Sequence, residues 1–381
     1  MKRLLIALAS ATLAAISVAP AASALGPKTT AASHAITYLH TLQSSDGTVA
    51  GDATRTEETV WGLAANKVSI ADFVTSGSST IDSLRAHIAN EEKSAGTIGS
   101  LILAVSAAGL STTDFAGRNL LQDLACTYQP STGAFNDQLY NDALAVLAIP
   151  PGHAPVKATD YIKTHQQSDD GGWEFAAGYG SDSNTTAVAL LALKSAGALT
   201  EAVQAKGLLY LKRQQRPDSG GFQYQTSPYT TDSDPDSDGL VIEALLATGQ
   251  EPTGAGWSIN DKNALTDLLS FQFANGGFGY SRPGSSSTAA PDPLSTTQPL
   301  AALASTYLPV KAVTGTFPST CASAAATATP APSATPAPSV AATPTPTRLA
   351  PTGGSPLPGM AAVLAGMMTL LAGLEVRRRS R

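Results

Sequence analysis

Cysteine is scarce in this chain, with 2 residues among 381, and the five histidines (34, 40, 87, 153 and 165) show no metal-ligand spacing. Cys126 has no neighbouring histidine and Cys321 lies at the edge of a low-complexity stretch. A zinc centre that activates a thiolate is therefore excluded. Aromatic side chains are few, with 9 Phe, 10 Tyr and 3 Trp (Trp61, Trp173 and Trp257). That is thin material for a cavity that must steady carbocations against ring faces. Basic residues are in the minority, 23 Lys and Arg against 29 Asp and Glu.

Both ends carry processing signals. Met1-Lys2-Arg3 leads into an apolar stretch from Leu4 to Val18 that closes on Ala22-Ser23-Ala24. Basic start, apolar middle and small-residue end form a secretory signal over residues 1–24. From Ala322 to Thr347 only Ala, Thr, Pro, Ser and Val occur. Such a segment cannot bury a core, so 321–348 is predicted to be an extended, disordered spacer. Residues 349–381 then hold Leu349-Ala350-Pro351-Thr352-Gly353, an apolar run predicted as a C-terminal membrane helix over 360–376, and an arginine cluster that stops it on the cytoplasmic side.

That pentapeptide resembles the sorting signal of Gram-positive cell-wall proteins, in its Leu-Ala-x-Thr-Gly form. The resemblance implies a sortase that cuts between Thr352 and Gly353 and joins Thr352 to peptidoglycan, with Leu349 part of the recognised motif. It implies a surface location, with the precursor held in the membrane. Processing at both ends removes Lys2, Arg3, four tail arginines and Glu375, and takes the net charge from −6 to −11. So acidic a chain is not a partner for nucleic acid or anionic lipid. In an oxidising compartment Cys126 and Cys321 are either a disulfide strapping the domain's end to its body or two free thiols.

What the chain does have is one short phrase written five times: Gln, three or four residues, Gly, one residue, then an apolar or aromatic side chain. It reads Gln43 to Gly47 and Val49, Gln129 to Gly133 and Phe135, Gln167 to Gly171 and Trp173, Gln215 to Gly220 and Phe222, and Gln272 to Gly276 and Phe278. Before the phrase, stripes such as Ala35, Tyr38, Leu39 and Leu42 recur at i, i+3, i+4, i+7, the mark of a helix with one buried face. After it come segments apolar almost all round, such as Thr185–Leu193, Leu240–Ala247 and Leu144–Ala148. A degenerate unit without the glycine lies between Thr80 and Leu110, with an outer helix over Leu84–Ile88. Half-apolar helices alternating with fully apolar ones predict an all-α domain over 25–320, six helical hairpins in two concentric layers. Six pairs can close into a ring and need no capping repeat.

The phrase Gln167 to Trp173 matches the Q-x-x-x-G-x-W motif of squalene and oxidosqualene cyclases. The unit as a whole resembles the repeat of the terpenoid cyclase and protein prenyltransferase superfamily, an α/α toroid. The resemblance covers roughly residues 30–312 and makes Gln167, Trp173, Gln272 and Phe278 structural. It also brings catalytic sets to look for. The thioester motif Cys-Gly-Glu-Gln is absent, since Thr127-Tyr128 follows Cys126. The acid motif Asp-x-Asp-Asp has its nearest match in Asp236-Ser237-Asp238-Gly239, without the fourth acid.

Asp182 and Asp292 hold the corresponding place in neighbouring units, so these acids read first as helix N-caps and second as a general acid, with Asp238 the candidate and Asp236 beside it. Asp234, Asp236 and Asp238 also fit the first half of a calcium loop, although Leu245 stands where its bidentate acid belongs. Loops 174–184, 223–238 and 279–294 offer Tyr179, Tyr224, Tyr229 and Tyr280 as a binding rim. With its catalytic sets incomplete, the chain is expected to be a non-catalytic surface module for a small hydrophobic or corrinoid ligand. A cyclase-like enzyme and a passive display domain are the alternatives.

Overall fold

The computed structural model describes residues 29–89, 93–135, 138–226 and 232–321. The signal over 1–24, the spacer from 322, Leu349, Thr352, Gly353, the apolar run 360–376 and Tyr229 lie outside the described residues.

Outer and inner helices alternate along the chain. The pairs are α1 (Thr29–Thr41) with α2 (Ala53–Ala65), then α3 (Thr80–Ser83, continued by a π-helical turn over Leu84–Ile88) with α4 (Ala95–Ala107), and α5 (Leu120–Thr127) with α6 (Leu139–Leu147). They continue as α7 (Val156–Thr164) with α8 (Ser183–Ser195), and α9 (Glu201–Gln214) with α10 (Pro235–Ala247). The last pair is α11 (Ala264–Ser270) with an inner segment broken at Pro299 into α12 (Pro293–Thr297) and α13 (Leu300–Leu303). Two short hairpins, Val74–Thr75 with Ser78–Ser79 and Trp173–Glu174 with Ser181–Asp182, decorate the connections.

Burial sorts the two layers as the hydrophobic pattern does. In α8 every residue from Thr185 to Leu193 is buried, whereas α9 buries only Gly207, Tyr210, Leu211 and Gln214. The inner helices pack in the order α2, α4, α6, α8, α10, α12–α13 and back to α2. Each outer helix covers the inner helix that precedes it, and α1 covers α12 and α13. The ring is thus closed by the two ends of the sequence, an α/α toroid. At the inner seam a Cβ on Gly62 would lie 2.3 Å from Leu300 Cδ1, so glycine is what lets α2 and α13 meet.

The repeated phrase is the fastener between neighbours. Gln272 Nε2 donates to the carbonyl of Gly276 in its own turn and to that of Ala31 in the next unit, at 2.9 and 2.8 Å. Gln43 reaches Gly47 and Phe73 in the same way, and Gln215 reaches Gly220 and Trp257. Gly276 has φ +93° and its Cα rests against the carbonyl of His34, where a Cβ would come within 2.3 Å. Gly47, Gly133, Gly171 and Gly220 share this left-handed backbone. The residue two after each glycine is buried in every unit, and Trp173, fully covered, donates its indole N–H to the carbonyl of Ile162.

Two glutamines are corrected by this geometry. In the fourth unit Gln166, not Gln167, bonds the carbonyls of Gly171 and Val203. Gln167 instead donates to Glu174 and to the carbonyl of His165. In the third unit Tyr128 occupies the fastening position, its ring 5.0 Å from that of Phe135, while the backbone N–H and C=O of Gln129 open and close the turn. The cause is turn length. The closing N–H reaches three residues back at Ser44–Gly47 and Phe273–Gly276, but four at Gln129–Gly133, Gln167–Gly171 and Arg216–Gly220.

After α13 the chain becomes a strap over 304–321. Leu308 closes the C-terminal end of the barrel and donates its N–H to Glu243 at 3.0 Å. Further on, the carbonyls of Thr314 and Thr320 accept from Thr112 and Gln122, and the Phe317 ring lies 6.2 Å from that of Phe135. A disulfide between Cys126 and Cys321 then ties the strap to α5.

Gln166→Ala should lower the unfolding free energy by about 1–3 kcal/mol, because it strips two buried carbonyls of their donor. Gln167→Ala should stay within about 0.5 kcal/mol of the parent. Urea unfolding of the two variants checks this, and equal losses would reject the register shift.

Candidate functional site

The inner helices all start at one end of the barrel, and their N-terminal residues form its mouth. Asp52, Asp182, Asp234 and Asp292 cap four of them, accepting the backbone N–H of Arg55, Thr185, Ser237 and Ser295 at 2.9, 2.7, 2.8 and 3.0 Å. Capping carboxylates answer both the orphan N–H groups and the helix dipole. The start of α10 corrects the sequence reading, which opened that helix at Leu240. Its cap is Asp234 with Pro235 in the first turn, so Asp236 and Asp238 lie inside the helix.

This placement separates the three aspartates. Asp234 bonds Ser237, Asp236 accepts from Ser295, and Asp238 accepts the backbone N–H of Phe222 at 2.7 Å. Side chains two residues apart on a helix point in different directions. The carboxylates therefore do not converge as calcium ligands, and among the described residues no acid, His and Cys cluster suits a metal ion.

Asp238 has counterparts four residues beyond each cap. The hydroxyls of Thr56, Thr186 and Thr296 accept the N–H of Val49, Trp173 and Phe278, and the Asp142 carboxylate accepts that of Phe135. Asp238 thus fastens the phrase to the inner helix and faces the outer layer, where Asp267 lies. Burial, and then Asp267, push its carboxyl well above the usual range.

Asp236 lies at the mouth instead. It is 5% exposed; one oxygen lies 3.3 Å from Ser295 Oγ and the other has no hydrogen-bond partner. Burial raises its carboxyl well above 3.8, and Asp234 and Asp292 add to the shift while Arg55 opposes it. Below it, Arg55 pairs with Glu58 at 3.0 Å, and the Thr297 hydroxyl donates to the same carboxylate. Tyr140 on α6 feels the charges of Glu58 on α2 and Glu243 on α10, and Glu243 feels that of Glu58. Burial raises Glu58 above its ordinary 4.5, and lifts Glu243 to about 8 against the pull of the Leu308 N–H.

Aromatic rings surround this mouth. Tyr140 lies 6.5 Å from Phe175, and Phe175 lies 6.4 Å from Tyr179, which is 64% exposed. Tyr224 and Tyr280 stand beside the capping acids, and burial followed by Asp182 for one and Asp234 for the other raises their hydroxyls. Of the rim tyrosines, Tyr224 and Tyr280 join the acids and Tyr179 is an outlying member. Arg55, Glu58, Tyr140, Phe175 and Glu243 escaped the sequence reading. Glu243 had a signal there, the lone acid in the run Leu240-Val-Ile-Glu-Ala-Leu. The arrangement can give up a proton from Asp236 and hold positive charge against rings and carboxylates. At the opposite end a cavity of about 220 Å³ lies between Leu191, Lys194, Tyr307 and Pro309.

Solved structures share the fold, among them the following. The type II terpene cyclase MstE from Scytonema superposes with a TM-score of 0.55 at 15% identity, over 74% of this chain and 98% of the cyclase. A variant of it in complex with its substrate, geranylgeranyl dihydroxybenzoate, gives 0.53 at 14% identity over 73% and 98%. A protein from Actinoplanes gives 0.52 at 14% identity over 73% and 99%. No protein-family model matches the sequence. No curated protein matches it either.

The buried acids fix the pH response. Asp182 titrates at about 7, raised by burial from 3.8, and Glu243 at about 8, from 4.5. Acids raised in the fold favour its protonated form, so their contribution is complete below about pH 4 and is lost as pH climbs through 7 and 8. The urea midpoint should fall between pH 4 and 9. Asp182→Asn, which keeps a capping side chain, and Glu243→Gln should each flatten that fall; parent-like slopes in both would reject the assignment.

Proposed function

We propose that the toroid is an exported enzyme of terpene-cyclase type, in which Asp236 protonates an alkene carbon to start an isomerising cyclisation. The observation that carries this reading is the Asp236 carboxyl, buried at the mouth with one oxygen unpartnered and held above its ordinary range by that burial. Similarity of fold to a type II terpene cyclase supports it. In this scheme the acid O–H bond breaks as a C–H bond forms, and positive charge develops on carbon. Tyr140, Phe175, Tyr224 and Tyr280 offer ring faces to that charge. Loss of a proton from the last cation restores neutrality, so no co-reactant is consumed. Asp238, the acid favoured by the sequence motif, is given the fastening role, since its bonded oxygen holds the phrase backbone.

The non-catalytic binding module is favoured by one feature. The inner helices carry Glu58 and Glu243 buried, where an apolar lining would suit a long polyene better. The two readings part on turnover. Mature chain incubated with squalene or geranylgeraniol should yield cyclised product by gas chromatography–mass spectrometry, and Asp236→Asn should cut the rate by about 10²–10⁴-fold. Asp238→Asn should reduce stability while leaving the folded fraction active. Cyclisation undiminished in Asp236→Asn would sink the assignment.

We also propose anchoring of the domain to the cell wall through Thr352. The terminal motifs and the acidic mature chain support it, and the strap ends at Cys321, directly before the spacer. Thr352→Ala should move the protein from the wall fraction to membrane and medium on immunoblots. Unchanged wall linkage would defeat this reading.

A further inference from the structure

We infer that the mouth selects ligands by head-group charge, admitting neutral or cationic prenyl compounds and turning away prenyl diphosphates. The inference deepens the cyclase reading, since it takes the mouth as the place where a prenyl chain enters.

A ring of helix N-termini is ordinarily an anion trap, because free N–H groups and the dipole both favour negative charge. Here the trap is already filled from within. Four of the six inner helices spend their first-turn N–H groups on Asp52, Asp182, Asp234 and Asp292. Asp236 and the cap Asp182 each keep an oxygen that no donor satisfies, open acceptors that suit a ligand head group which donates.

Basic side chains do not redress the balance. The segments leading into the inner helices, taken together with the first turns of those helices, contain only Arg55, Lys93 and Arg282. Arg55 is held by Glu58 at 3.0 Å and Asp52 at 3.7 Å. Arg282 is held by Asp267 at 2.7 Å and Asp232 at 2.9 Å, and its guanidinium lies over the Phe271 ring. Lys93, exposed ahead of α4, is left as one rim charge. Above about pH 8, where Asp182 and Asp234 are ionised, a diphosphate entering this ring would meet carboxylates that no free basic side chain of the inner-helix starts offsets. An alcohol or an ammonium head would not be repelled by them.

The test holds the tail constant and varies the head. Binding of geranylgeraniol, geranylgeranylamine and geranylgeranyl diphosphate to the mature chain is followed by calorimetry below their critical micelle concentrations. The diphosphate should bind at least tenfold more weakly than the alcohol at low salt above about pH 8, and the gap should shrink as salt shortens the screening length. Asp52→Asn with Asp292→Asn, both still able to cap, should narrow it as well. Equal or tighter diphosphate binding, or binding of none of the three, would overturn the inference. Charge-ordered binding without any product would uphold it and sink the acid role of Asp236 instead.

Discussion

The structure hangs on a contact that no unit can make alone. Four of the turn phrases send a glutamine amide to a backbone carbonyl of the following unit, and the glycine of all five rests against that unit's backbone. Gln272 and Gly276 meet α1, so the last turn is completed by the first helix. A single hairpin would leave the amide and the carbonyl without partners, and an apolar inner helix without cover. Closure is therefore the condition under which the hydrogen bonds and the hydrophobic layers are satisfied together.

Closure also decides where charge can collect. Parallel inner helices bring six positive dipole ends to one mouth, and the chain answers with capping acids. Carboxylates so placed are close to one another and out of water, so each raises the cost of ionising its neighbour. The Asp236 carboxyl is raised in this arrangement without a dedicated partner: burial comes first, and Asp234 and Asp292, there to cap helices, add to it. A device needed for folding thereby favours the protonated form of an acid at the mouth of the barrel.

The layered toroid was legible in the sequence because its signals are periodic and long-range. Stripes, apolar runs and glycines all repeat, and the degenerate unit over 80–110 fits the count. Individual roles were less legible where one residue of slip changes a partner. Gln166 and Gln167 are adjacent and chemically identical, and only the turn's reach of three or four residues distinguishes them. Asp234, Asp236 and Asp238 likewise form one motif in sequence but three environments on a helix, because the start of α10 lies five residues ahead of its apolar run. Glu243 was visible as a charge in an apolar run, whereas Glu58, in the polar first half of α2, was not, and that its charge reaches Glu243 follows from the packing of the ring.

The strap gives the molecule a mechanical polarity. If the chain beyond Cys321 is tethered to the wall, any tension on that tether enters the domain at the disulfide and passes to Cys126 on α5. The segment between Leu308 and Thr320, which stoppers the barrel and supplies the N–H to Glu243, lies outside that load path. Shear at the cell surface would then be borne by one covalent link to an outer helix, while the stopper and the buried acid behind it stay slack.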